Sequence, residues 1–270
     1  MQPPPIRMPD PVRADLDAHR RGLADEFEQT LAPHARPCVA ITSRRVAPHP
    51  LRRGLIGRAL RRPTSPPVLD VLASKFGGTP YAETPGDWHD HGFLGQIDLA
   101  EATAVLPPDH LRLTGILGIA VNREPRGGPT DLVRVRWFPQ PAIERAVPAP
   151  ASADGAWEAR LDFRLAWSLP QDDILDALWP LAEPRWFEYE RFFPAGYNDD
   201  GDGDVHTLLG NGPDEVHGFD DLAAYACLLR LPFDNTAGFH WGSNCVYVIV
   251  PRDEIARGDL HRAVAVVANA

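Results

Sequence analysis

A glycine pair followed by proline constrains this chain most. Gly77-Gly78-Thr79-Pro80 specifies a tight turn into extended backbone, because glycine accepts positive φ and the residue before proline is pushed out of the helical region. Phe93 to Leu99 then reads as a strand, with Phe93, Gly95, Ile97 and Leu99 expected on one face and Leu94, Gln96 and Asp98 on the other. The order of events recurs downstream. Gly210-Asn211-Gly212-Pro213 compares with the first turn, Cys227 to Phe233 compares with Phe93 to Leu99, and a further strand follows each, at Ile116 to Val121 and Cys245 to Val250. A degenerate internal duplication explains such an echo, and two related lobes leave a groove between them where a ligand can sit.

Other segments fit around this frame. Asp10-Pro11 is a helix start, and Val12, Leu16, Leu23, Phe27 and Leu31 recur at helical spacing, which predicts a long amphipathic helix over residues 11–32. Cys38 to Val46, Thr114 to Val121, Leu132 to Phe138, Trp157 to Leu169 and Ala263 to Ala268 read as strands. Two of them alternate polar with apolar residues: Arg134 and Arg136 oppose Val133, Val135 and Trp137, leaving one side wet, and Arg160, Asp162 and Arg164 oppose Leu161, Phe163, Leu165 and Trp167, which are expected to line a buried face. Short helices are expected near 172–181 and 253–257, and an aromatic cluster from Trp186 to Tyr197 is expected in the core. The expected fold is therefore α+β: two interlocked, mainly antiparallel sheets flanked by the long N-terminal helix. An N-terminal lobe of residues 1–146 joins a C-terminal lobe of residues 156–270 through the Pro/Ala/Ser-rich linker 147–155, the whole forming one compact unit.

The motifs carry a family resemblance. Ser74-Lys75-Phe76-Gly77-Gly78-x-Pro80, then Trp88 and Phe93-Leu94-Gly95-Gln96-Ile97-Asp98-Leu99, resembles the signature of the YwqG-like family, bacterial proteins carrying a domain of unknown function. His206-x-Leu208-Leu209-Gly210, Cys227 to Phe233 with Asp234, and Trp241-Gly242 before a strand are similar too, so the likeness runs from about residue 70 to 268. It implies a fold and no particular reaction. Many members place a Cys-x-x-Cys-like pair between the tryptophan and the strand, where this chain has His89 and His91.

Charge narrows the function classes. A net charge of −10 disfavours general nucleic-acid binding. Yet Arg44 to Arg62 holds seven arginines and no acid, leaving about −17 on the remainder. Within it Arg52, Arg53, Arg58, Arg61 and Arg62 form a basic patch that could meet anionic lipid, nucleic acid or an acidic partner. No apolar run is long enough to span a bilayer and the amino terminus has no secretion-signal core, so a cytoplasmic location is expected. Cys38, Cys227 and Cys245 are widely spaced within apolar runs and read as buried thiols.

Candidate chemistry falls into three sets. Lys75, Trp88, Gln96, Asp98, His206, Asp234, His240 and Trp241 are candidates to line the inter-lobe groove and bind a ligand. Lys75 is the only lysine beside 26 arginines, which singles out its flexible point charge. His89 and His91, alternate residues in an extended loop, could hold a transition metal with a third ligand from His206, His217 or His240. Asn198 to Asp204 opens like a calcium loop but has Leu209 where the bidentate glutamate belongs, which excludes the usual EF-hand. Asp98 also reads as a helix cap, with Glu101 at the third helical position. No nucleophile elbow or spaced acid pair occurs, and no cofactor is expected. The leading expectation is a cytosolic, non-catalytic binding or protein-interaction module using the groove or the basic segment. Its partner is an unspecified protein or small molecule, with nucleic acid disfavoured. The alternatives are a metal-dependent or acid–base enzyme centred on His89, His91 and the cleft carboxylates, and membrane-surface or nucleic-acid recruitment through Arg44–Arg62.

Overall fold

The computed structural model describes residues 36–46, 69–88, 91–122, 132–148, 157–168, 205–212, 222–241 and 244–269. Their strands are β1 (Arg36–Arg45), β2 (Lys75–Phe76), β3 (His91–Asp98), β4 (Ile116–Asn122), β5 (Val133–Phe138), β6 (Ala159–Ser168), β7 (His206–Leu208), β8 (Tyr225–Leu231), β9 (Asn244–Pro251) and β10 (Val264–Asn269). Among the described residues the α-helices are α1 (Leu99–Thr103) and α2 (Arg252–Ile255). All ten strands belong to one sheet, in the order β10-β9-β8-β7-β1-β6-β2-β3-β4-β5, and every ladder is antiparallel. The sheet curls until β5 and β10 come within 8 Å without a ladder between them, and the ring of Trp137 meets that of His261 at 4.9 Å. Side-chain packing closes a barrel-like body.

This corrects the α+β expectation. The two interlocked sheets are one continuous sheet, because β1 and β6 pair with each other along their whole length, from Arg36↔Ser168 to Arg45↔Ala159. The architecture is mainly β. The long helix expected over residues 11–32 lies outside the described residues, as do the helix near 172–181, the aromatic cluster and the acidic loop.

Pairing on either side of the central β1–β6 ribbon is equivalent. β2 joins β6 and opens the meander β3-β4-β5; β7 joins β1 and opens the meander β8-β9-β10. The long strand of each half thus pairs with the short strand of the other. Register agrees in detail, since a β-bulge falls between Phe93 and Gly95 in β3 and between Cys227 and Leu229 in β8. The turn after each short strand also matches: the N–H of Gly77 donates to Leu94 O, and that of Leu209 to Leu228 O, both 2.8 Å, with φ of 61° and 64°. Gly78 therefore corresponds to Gly210. The two halves relate about an axis through the Thr42↔Asp162 pair.

The bulge also reassigns faces. It breaks the alternation expected for Phe93 to Leu99, so that Leu94 and Ile97 share the inner core while Phe93 packs outward on Trp88. That inner core joins both halves, with Val39, Ile41, Phe76, Leu161, Leu208, Leu229, Val246 and Val248 in one cluster. On the outer face the first half is covered by residues 69–88 and 141–148, where Tyr81, Trp88, Ile116 and Phe138 pack together. Most of β3 is thus buried on both sides.

Candidate functional site

The outer-face candidates prove to be anchors. Gln96 accepts from Tyr81 N at 2.8 Å and donates to the carbonyls of Val71 and Ala73 at 2.7 and 3.0 Å, so one amide ties down the covering segment on both sides of β2. Lys75 lies beside it in register. Its Nζ is buried and donates to Asp70 O at 2.7 Å. Burial pulls its pKa below the ordinary lysine value, although Glu158 and Asp70 pull the other way. Trp88 is buried, donates from Nε1 to Tyr81 O at 2.7 Å, and lies so close over Gly118 that a Cβ there would stand 2.5 Å from its ring. Asp87 fastens the same loop by accepting from the N–H groups of Glu83 and Thr84, from the Thr84 hydroxyl and from Arg136. Burial would raise its pKa, but those donors outweigh it and hold the carboxyl below the usual range.

Asp98 caps α1, its Oδ1 accepting from Ala100 N and Glu101 N. Glu101 does not complete the reciprocal capping box; its carboxylate accepts from the Ser74 hydroxyl at 2.7 Å.

The interior holds a histidine–carboxylate pair. His206 on β7 and Asp234, just past β8, approach to 2.9 Å between Nε2 and Oδ2, with side-chain exposures of 0% and 1%. Asp234 Oδ1 accepts from Ala237 N at 2.7 Å, and the carboxylate also bonds Ser43 on β1. Burial pushes the Asp234 carboxyl up, but the His206 hydrogen bond and charge, with Ser43 and Ala237 N–H, bring it below the usual carboxylate range. Nε2 carries the proton shared with Asp234, whereas Nδ1 has no hydrogen-bond partner. Rings close the surroundings: Phe76 meets His206 edge-on at 5.0 Å and Phe239 stacks on it at 5.8 Å. Two groups that could exchange a proton are thus walled off from any substrate, and they lock the β8–β9 loop into the barrel. Arg45, two residues beyond Ser43 on β1, fastens the same loop, bonding the carbonyls of Asn235 and Thr236 and lying 3.9 Å over the Trp157 ring.

His240 and Trp241 sit on the far side of the loop. His240 is exposed and stacks on Phe233 at 5.6 Å, while Trp241 donates to Pro232 O at 3.2 Å. The groove candidates are therefore not brought together: Lys75, Trp88 and Gln96 lie outside the sheet, His206 and Asp234 inside it, and the rest at its ends. His91 opens β3; His89 and His217 lie outside the described residues, and among those described no three potential ligands converge on one point. Arg52, Arg53, Arg58, Arg61 and Arg62 also lie outside them.

What the structure does assemble is a basic floor between the halves. By alternation Arg44 on β1 and Arg160, Asp162 and Arg164 on β6 share the outer face, and all four are exposed. Arg44 stands directly opposite Arg160, and Thr42 opposite Asp162. Asp162 meets Arg44 Nε at 3.4 Å, with side chains 52% and 70% exposed, a contact open to water. Sequence alternation sets Arg160 and Arg164 opposite the apolar face of their strand but gives no reason to join them to Arg44; only the β1–β6 register does.

A scan of the chain against models of known protein families returns no match, and comparison with functionally curated proteins returns none either.

Proposed function

We propose that this chain is a binding module rather than an enzyme, related to the YwqG-like proteins, and that the exposed stretch of the outer face of β1 and β6, at Arg44, Arg160, Asp162 and Arg164, receives an anionic partner. One observation carries this: Arg44 and Arg160 face each other on adjacent strands with Arg164 on the same exposed surface. Like charges directly opposite each other destabilise a sheet. A chain with 37 acidic residues has ample means to neutralise them, yet Asp162 alone lies among them in these strands. Retained repulsion of this kind is repaid when an oxyanion docks, because guanidinium forks match carboxylate and phosphoryl oxygens in pairs. The kinship with YwqG-like proteins is supported by the unity of the signature, whose residues form β2, its turn and β3. A cytosolic setting belongs to the same proposal, in keeping with three buried cysteines of which none is in a disulfide. Among the described residues no helix is long and apolar enough to cross a membrane.

Calorimetric titration with inorganic tripolyphosphate tests the floor. Binding is expected at low ionic strength, weakening steadily with salt and abolished in the Arg44→Gln/Arg160→Gln/Arg164→Gln variant. Equal binding by that variant, or none by the parent chain, overturns the proposal.

A further inference from the structure

The basic floor has a direction and a spacing, and these narrow the ligand beyond its charge. Arg160 and Arg164 are four residues apart on β6 with Asp162 midway, so their side chains rise on one face about 13 Å apart at roughly 3.3 Å per residue. Arg44, beside Arg160, and Arg164 occupy equivalent places about the axis through Thr42 and Asp162. Two cationic poles thus flank a polar, partly acidic centre. We infer that the floor binds an extended peptide segment lying along β1 and β6, with oxyanionic side chains at positions i and i+4 over the poles and a neutral or basic residue at i+2 over Asp162.

The repeat of an extended peptide equals that of the strands beneath it, so i and i+4 side chains on one face meet both poles without distortion. A guanidinium takes a carboxylate or a phosphoryl group in the same two-pronged way, so glutamate and phosphoserine are alternative sources of one chemistry. Long polyanions fit less well. The field of a chain carrying −10 repels them beyond this patch, and Asp162 interrupts the cationic row.

This inference rests on the anionic-partner proposal, and its test separates the two. Fluorescence anisotropy of the full chain would use labelled peptides of threonine and serine carrying two glutamates at i and i+4, two adjacent glutamates, or two phosphoserines at i and i+4, each with lysine or serine at i+2. A single-stranded oligonucleotide serves as the competing polyanion. The spaced peptides are expected to bind at least about fivefold more tightly than the adjacent pair, and Arg44→Gln and Arg164→Gln to weaken them each about fivefold. Arg164→Lys, which keeps charge but loses the fork, should fall between. Asp162→Asn should erase the advantage of lysine at i+2. Tighter binding of phosphoserine assigns the phosphoryl source, and equal binding shows that carboxylates suffice. Indifference to spacing, insensitivity to both arginine variants, or preference for the oligonucleotide overturns the inference. Should tripolyphosphate binding still depend on the arginines in that event, only the peptide assignment falls; if that dependence is lost too, both fall.

Discussion

The meander after β2 and the meander after β7 have the same pairing and the same bulge, yet they are fastened by opposite chemistry. In the first, Ser74, just before β2, donates to Glu101 in the β3–β4 connection and accepts from Asp98 N at 3.0 Å. Glu101 is exposed and remains solvated. At the corresponding place in the second, His206 holds Asp234 of the β8–β9 connection with neither group reaching water. The same mechanical task is done once by a hydroxyl at a wet rim and once by a dry histidine–carboxylate hydrogen bond. The connection lengths explain why. Residues 99–115 include α1 and contribute Leu99, Ala102, Leu106 and Leu113 to the inner core. The β8–β9 connection is shorter and hooks inward through Asp234, whose carbonyl accepts from both Gly238 N and Phe239 N.

Removing each lock should therefore cost unequal amounts. Asp234→Ala leaves an imidazole, the Ser43 hydroxyl and Ala237 N–H without their common acceptor, and a loss of about 3–5 kcal/mol in urea-denaturation stability is expected. Ser74→Ala should cost about 1 kcal/mol, since Glu101 returns to water. The pH dependence separates them further. Because the folded pKa of Asp234 lies below its ordinary value, its contribution is complete above about pH 4 and is lost as pH falls through the lowered folded value. Asp234→Asn should flatten that acid limb of the stability curve, and Ser74→Ala should leave it in place. Equal costs and equal acid limbs would mean that the two locks do not differ in kind.

The core repeats the contrast in volume. Phe76 lies beside Gly95 in the first half, and Leu208 beside Leu229 in the second, so a large and absent pair balances two of middle size. A Cβ on Gly95 would come within 2.4 Å of the Phe76 ring and 2.8 Å of Lys75 O. Gly95→Ala is thus expected to cost about 1–3 kcal/mol by overpacking, against about 2–5 kcal/mol for the cavity left by Leu229→Ala. Volume alone can be isolated in a double variant: Phe76→Leu/Gly95→Ala should recover much of the Gly95→Ala loss. A double variant no better than the sum of its parts would place the clash in the Lys75 backbone.

Strand positions were legible because most carry an apolar–polar alternation or end at glycine or proline; Trp157 to Leu169 and Leu132 to Phe138 needed nothing more. The cap at Asp98 was legible from Asp-Leu-Ala-Glu. The short strands β2 and β7, of two and three residues, were not, being too short to show a period, and they are the links that join each meander to the central β1–β6 ribbon. Nor did sequence show which face Phe93 takes, because the bulge inserts a residue that no local pattern announces. The site was least legible. Lys75, Gln96 and Trp88 stood out as unusual residues and are unusual because burial demands it of them, whereas Arg44 and Arg160 look ordinary until register sets them opposite each other.

The turn after each short strand gives the finest test of equivalence. Gly77 and Leu209 adopt the same left-handed conformation and make the same hydrogen bond, but only glycine does so without steric cost. Leu209 bears that cost because its side chain packs, half-buried, against the inner core. Gly77→Ala adds the cost with little packing in return, so thermal unfolding should register a loss of about 1 kcal/mol. Leu209→Gly relieves the backbone but gives up the packing and loosens the unfolded chain, so its net change should stay within about 0.5 kcal/mol. Gly77→Asn, which tolerates positive φ better than alanine, should fall between the glycine parent and Gly77→Ala. If Gly77→Ala proved neutral, the matched angles would carry no energetic consequence, and the equivalence of the two turns would be geometric only.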